Sequence, residues 1–229
     1  MKYFILKHNG LNLKETGTQF QSIDGILGDI QQDFIPFEGK FNFAFKLPEP
    51  FLEKKAKPTT YLHTMIIPSW FLVFKNYFID FLKGYNIRDF QTWNIKVHQN
   101  NNSTIDDYIL FYLTETLNSE IIDLEKSKFS IGKWGNWEYH GDNIFFKTKS
   151  DYEKKWDELS NTDNYIKSPN LYLDFSLMKL DLFRVYKVPI IGGHHLISEK
   201  LKNAIEKEGF TGFAFQEIEE MDDRIKCIY

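Results

Sequence analysis

The sequence predicts an α+β protein built from mixed, mostly antiparallel sheets with a few short helices. Three observations lead there. Short runs of strand composition recur along the chain, separated by Gly, Pro, Asn and Asp. Only a few stretches carry the helical period, and all are short. Aromatic residues are abundant, with 22 Phe, 12 Tyr and 5 Trp in 229 residues, which is enough to bury a core and to exclude disorder for most of the chain. At about 100–200 residues per domain, this length holds one domain or two small ones. Composition divides the chain into a β-rich segment, 1–60, and an α+β domain, 61–229, or leaves it as one continuous domain over 1–229.

Lys2–Lys7 has strand composition, with Tyr3 and Ile5 alternating against Phe4 and Leu6. Asn9–Asp33, which holds Gly10, Gly17, Gly25 and Gly28, reads as loop with short strands. Phe41–Phe45 alternates apolar residues with Asn42 and Ala44, as a strand does. Pro48, Pro50 and Pro58 then punctuate a polar connection that reads as an internal linker. Ile66–Val97 reads as strand, helix, strand. Its helix spans about Lys75–Gly84, with Phe78, Phe81 and Leu82 at helical spacing, and stops at Gly84-Tyr85-Asn86. Phe90, Trp93, Ile95 and Val97 form the apolar set of the next strand. Tyr108–Leu113 is continuously apolar and aromatic, so it is expected to be a central strand buried on both faces.

Lys126–Asn170 is more polar, with Trp134, Trp137 and Trp156 scattered through it. Short strands are expected there, with one helix near Ser150–Leu159 capped by Ser150. The last helix is the clearest element: Ser198 caps it, Leu201, Ala204 and Ile205 form its stripe, and Gly209 ends it. A strand begins in Phe210–Ile218, followed by an acidic tail carrying Glu217, Glu219, Glu220, Asp222 and Asp223.

Displacing the chain on itself by 123 residues sets Phe74 on Ile197, Phe78 on Leu201, Leu82 on Ile205, Asn86 on Gly209 and Phe90 on Phe213. Asn and Gly are the residues that best tolerate positive φ, so the shared stop suggests two related strand–helix–strand units. Any amphipathic helix–turn–strand unit aligns about as well, and both explanations stand at this level.

Composition excludes several functions. A formal charge of −4 argues against broad, charge-driven nucleic-acid binding. The single Cys227 excludes an internal disulfide and any multi-cysteine zinc site. The apolar run Tyr3–Leu6 is shorter than a signal-peptide core of about 7–15 residues. Met65–Leu82 is interrupted by Pro68, Lys75, Asn76 and Asp80, and so reads as a buried strand–helix unit, not a membrane span. These features place the chain in the cytoplasm, with no membrane or nucleic-acid partner and no cofactor expected.

Motifs for catalysis are sparse. No phosphate loop, dinucleotide fingerprint, nucleophile elbow or His-Glu-x-x-His occurs. Gly192-Gly193-His194-His195 is the sharpest local feature. Two histidines in a Gly-rich turn before a helix are the residue types a metal site or general base uses. Adjacent residues rarely aim both rings at one ion, so a polar loop at a helix start is the plainer reading. A hydrolase or metal-dependent enzyme centred on His194 and His195 is therefore one alternative. A second is a nucleic-acid-associated module that uses the aromatics as stacking platforms. Carboxylate pairs such as Asp106/Asp107, Glu219/Glu220 and Asp222/Asp223 read as solvated faces.

Four pieces occur in order: Tyr108-Ile-Leu-Phe-Tyr-Leu113; Ile122-Asp123 through Ser127 and Phe129; Asp181-Leu-Phe183-Arg184; and Leu196-Ile-Ser198-Glu-Lys-Leu201 with Gly209-Phe-Thr-Gly212-Phe. Together, over about residues 70–220, they resemble a family of bacterial immunity proteins of polymorphic toxin systems. That family shows a D-x-x-x-S-x-F strand, an "lFR" strand and a closing helix–turn–strand unit. The aromatic insert around Trp134–Trp156 and the Gly-Gly-His-His turn depart from its pattern. The resemblance implies a binder without catalysis, which neutralises a cognate toxin protein by stoichiometric binding in the cytoplasm. Acidic and aromatic side chains would then face the toxin, which points to Glu217, Glu219, Glu220, Asp222, Asp223 and Trp137. Asp123, Ser127 and Arg184 are expected to make structural polar contacts, with Asp123 and Arg184 pairing with each other.

Overall fold

The computed structural model describes residues 1–17, 38–42, 45, 47–52, 55–62, 69–99, 102–136 and 141–229. It is an α+β structure with three sheets. The first sheet contains β1 (Tyr3–His8), β7 (Thr116–Leu117), β11 (Leu182–Val185), β12 (His195–Ser198) and β13 (Phe213–Glu217), in the order β13-β1-β12-β11-β7. The second contains β2 (Phe51–Leu52), β3 (Tyr61–Leu62), β4 (Phe71–Lys75), β5 (Phe90–Gln99) and β6 (Thr104–Leu113), ordered β2-β5-β6-β4-β3. The third contains β8 (Lys128–Lys133), β9 (Asn143–Ile144), β10 (Asn164–Asp174) and β14 (Ile225–Ile228), ordered β14-β10-β8-β9. Most described pairs are antiparallel; β2/β5, β7/β11 and β10/β14 are parallel. The helices are α1 (Leu13–Thr16), α2 (Asn76–Leu82), α3 (Lys149–Ser160) and α4 (Glu199–Glu208).

The echo read from the sequence is an equivalence in space. β4 and β5 flank β6, and α2 connects them. β12 and β13 flank β1, and α4 connects them. Registers agree as well. Phe74 opposes Ile109 and Phe90 opposes Leu113; Ile197 opposes Phe4 and Phe213 opposes His8. Each central strand carries a buried tyrosine whose hydroxyl donates to a carbonyl just before the next strand but one in its sheet: Tyr108 to Thr59, ahead of β3, at 2.7 Å, and Tyr3 to Leu180, ahead of β11, at 3.0 Å. The units differ in where the central strand comes from. The first unit takes its next strand in sequence, whereas the second takes β1 from the opposite end of the chain.

Three apolar clusters result. Phe74, Phe78, Leu82, Ile109 and Phe111 of the first unit pack with Phe4, Ile197, Leu201, Ile205 and Phe213 of the second in one shared core. The far face of the β1 sheet packs on α3 and the third sheet through Tyr3, Ile5, Phe129, Tyr152, Leu173 and Phe183. The far face of the β6 sheet packs Val73, Tyr108, Leu110 and Tyr112 with Phe41 and Leu52. All six residues of Tyr108–Leu113 are buried, three of them in each core that β6 serves, as expected of a central strand. At about 1.5–3 kcal/mol for each large side chain removed from water, this strand is a major source of cohesion.

Several expectations need correction. β1 is hydrogen-bonded between β12 and β13, so residue 60 does not separate an N-terminal segment from the rest. The proline-punctuated connection is no free linker: Phe51–Leu52 pairs with β5, and the His98 N–H donates to the Pro50 carbonyl at 2.8 Å. α2 ends at Leu82 with Lys83 still right-handed, and Asn86 does not adopt positive φ; only Gly209 does, at +72°. Asn86 instead bonds across to Asp181. α3 is capped by Thr148, not Ser150, in a reciprocal box with Asp151, which satisfies two end donors at once. Residues after Glu217 are not an open tail: a 3₁₀ turn, Ile218–Glu220, leads into β14. Gly25, Gly28, Ile66, Phe43 and Ala44, which figured in the loop and strand readings, lie outside the described residues.

Candidate functional site

The acidic residues expected at a partner surface lie on a segment that folding has immobilised. Pairing of β14 with β10 holds its far end. Glu217 is 2.7 Å from Lys2, and Glu219 accepts the Cys227 N–H at 3.1 Å. Asp222 takes Arg224 through Nε at 2.7 Å and Nη2 at 2.5 Å. That bidentate bond is the main reason its carboxyl is pulled down to about 2. Glu220 and Asp223 are exposed. The segment thus separates into three carboxylates with partners in the fold and two turned to solvent. Trp137 lies outside the described residues.

Arg224 joins this segment to a cleft of about 700 Å³. One wall is the third sheet. Trp134 follows β8 and packs on Tyr165 of β10, with ring centroids 4.7 Å apart. Tyr165 lies directly over Gly132, where a Cβ would sit only 2.4 Å from the phenol ring. A glycine within a strand, here the penultimate residue of β8, is explained by this close approach. Trp156 of α3 and Trp70, just before β4, complete the aromatic lining.

The opposite wall is the connection between β11 and β12. Tyr186, Val188, Pro189 and Ile190 line it, followed by Gly192 and Gly193. Ile190 has φ +69°, and the Ile191 N–H donates to the Pro189 carbonyl at 2.7 Å, which makes a γ-turn. Positive φ at a β-branched residue is strained. Further backbone bonds hold the strain in place, from Gly192 to Val188 and from Gly193 to Val185, both at 2.8 Å. A Cβ at Gly192 would come within 2.4 Å of the Tyr186 carbonyl oxygen. The Gly-Gly of the sequence motif therefore serves a tight turn.

The two histidines part company. His195 is inside β12, opposite Arg184, and only 4 % exposed. Burial, reinforced by the Arg184 charge and His194, drives its pKa down to about 3. His194 is less buried and shifts down mainly for the same reason. His194 lies in the turn before β12, whereas His195 is paired within the strand. Among the described residues no three His, Cys, Asp or Glu gather as a metal-ion site. Cys227 is held protonated by burial, which raises its thiol to about 12.

Asp123 and Arg184 do not pair. Asp123 takes the Lys126 N–H at 3.1 Å and its ammonium at 2.7 Å, closing a turn. Ser127 clamps β10, with its hydroxyl accepting the Tyr172 N–H at 2.9 Å. Arg184 is buried, with its guanidinium 5.3 Å from the Tyr112 ring centroid. The motif residues thus build turns, caps and strand junctions. Trp70, Tyr165 and Tyr186 were missed as lining residues; Gly132, a glycine within β8, is a sequence signal for Tyr165 alone. No helix among the described residues is long and apolar enough to cross a membrane.

Comparison with known proteins finds no family model and no curated protein that matches this chain.

Proposed function

We propose that this chain is an immunity-type binding protein that neutralises a cognate toxin protein by stoichiometric binding. The observation that carries the reading is the acidic segment: five carboxylates between Glu217 and Asp223, on backbone held by β14 and by side-chain bonds from Glu217, Glu219 and Asp222. Negative charge on a pre-organised surface suits a toxin that carries a basic groove for nucleic acid. Little ordering entropy is then lost on docking, and complementary charge speeds encounter. The four sequence motifs support the same family, and Ser127, Asp181, Arg184 and Ser198 of these motifs are buried, which leaves the outer surface to vary with the partner.

The test is co-expression with the toxin-type domain encoded beside this gene. Growth is restored and the two proteins co-purify one-to-one. The double variant Glu220→Lys/Asp223→Lys, at exposed positions, slows association at least tenfold and weakens rescue. A toxic neighbour that is neither bound nor neutralised overturns the reading. Rescue that the double variant leaves intact moves the interface away from this segment.

A further inference from the structure

The cleft beside the acidic segment has the opposite chemistry. Its charged lining residues are Lys167 and Arg224, both basic, in a chain whose net charge is −4. Arg224 is oriented at the cleft by the two bonds from its Nε and Nη2 to Asp222. Indole and phenol rings from Trp70, Trp134, Trp156, Tyr165 and Tyr186 supply flat apolar walls. Such walls suit a planar ring, and the basic groups suit a negative charge attached to it. Backbone amides of the Gly192–Gly193 turn are bonded to the carbonyls of their own loop, so recognition of the anion falls to side chains.

Both walls are set before any ligand arrives. Gly132 fixes the Tyr165 ring from below, and the γ-turn at Ile190 holds the facing loop in a strained form. Strain that is retained and locked by several bonds, on the wall of an aromatic cleft, is a mark of a binding site. A volume of about 700 Å³ matches a ligand of nucleotide size.

We propose that this cleft binds a small planar aromatic anion of about mononucleotide size, with the ring among the Trp and Tyr side chains and the negative group at Lys167 and Arg224. This goes beyond toxin binding and is tested without any toxin. The experiment is isothermal titration calorimetry of the full chain with adenosine 5′-monophosphate, adenosine and inorganic phosphate. The monophosphate binds one-to-one, and adenosine or phosphate alone binds at least fivefold more weakly. Trp134→Ala, at a side chain 59 % exposed and so compatible with folding, weakens the monophosphate about tenfold. Lys167→Gln weakens the monophosphate but not adenosine. No heat up to millimolar monophosphate, equal affinity for adenosine, or unchanged binding by both variants overturns the proposal. So does a short oligodeoxyadenylate that binds more tightly than the monophosphate with a steep salt dependence, because the ligand would then be a nucleic-acid strand.

Discussion

His195 is neutral because of where the strand puts it. Its ring is buried beside the Arg184 guanidinium, so a proton on it would be both desolvated and repelled. The unfolded chain has no such penalty and takes up that proton near pH 6.5. The folded-state pKa is thus the lower one. Stability is full above pH 6.5 and falls as pH drops, because the unfolded state then binds more protons. The slope from this one group approaches about 1.4 kcal/mol per pH unit, or about 2 kcal/mol between pH 6.5 and 5. Asp222 and Asp181, both lowered, begin to lose their contributions as pH falls through the ordinary carboxylate range, which lies below this window. Urea midpoints at pH 7 and pH 5 check this: His195→Phe shows a smaller acid loss than the parent chain, and equal losses refute it. The same residue shows what sequence reading misses. Two adjacent histidines suggest a site, but only the sheet decides that one of them faces a core.

At the scale of elements, local chemistry was legible wherever it was self-contained. Ser198 accepts the Leu201 N–H at 3.1 Å and Gly209 closes α4 with positive φ, both as the residues announce. α3 shows the limit, since Thr148 and Ser150 are both competent caps, and the reciprocal bond with Asp151 selects Thr148. The pairing of β8 with β10 was less legible. Gly132 opposes Tyr165, and the ring folds over it. Gly132→Ala therefore displaces the phenol or the strand and costs about 1–3 kcal/mol by overpacking. It also reduces monophosphate binding in the cleft. Thermal unfolding and calorimetry together test this; an unchanged melting temperature with unchanged binding would mean that the ring is free to move aside.

On the scale of the whole molecule, two strand–helix–strand units share one core and hold each other through matching polar links. Thr60 Oγ1 accepts the Thr211 N–H at 3.2 Å, and Asp181 Oδ2 accepts the Asn86 N–H at 3.0 Å. Each link joins the turn after one unit's helix to the other unit's strand edge. Asp181 also accepts from Ser198 at 2.6 Å and pairs with Lys200 at 3.0 Å, and these bonds outweigh the burial that would otherwise raise its pKa. Asp181→Ala removes all of them and lowers stability by about 3 kcal/mol. Phe78 lies between the units, 5.1 Å from the Phe210 ring and 4.9 Å from Phe213. Phe78→Ala costs about 3–5 kcal/mol. In guanidinium titrations both variants shift the unfolding of the two units together. A transition split by either substitution would show that the units fold separately.

The sequence by itself determined the α+β class, the central strand Tyr108–Leu113, the last helix with both its ends, and the spacing that relates the two units. These depend on side-chain period and on residues whose local geometry has few solutions. Tertiary structure decided the rest. It placed β1 between β12 and β13, folded the proline-rich connection and the acidic segment against sheets, parted Asp123 from Arg184, and gathered three tryptophans and two tyrosines around one cleft. Each of these joins residues far apart in the chain. Strand period says which face a side chain occupies, but it carries no information about which distant strand will cover that face.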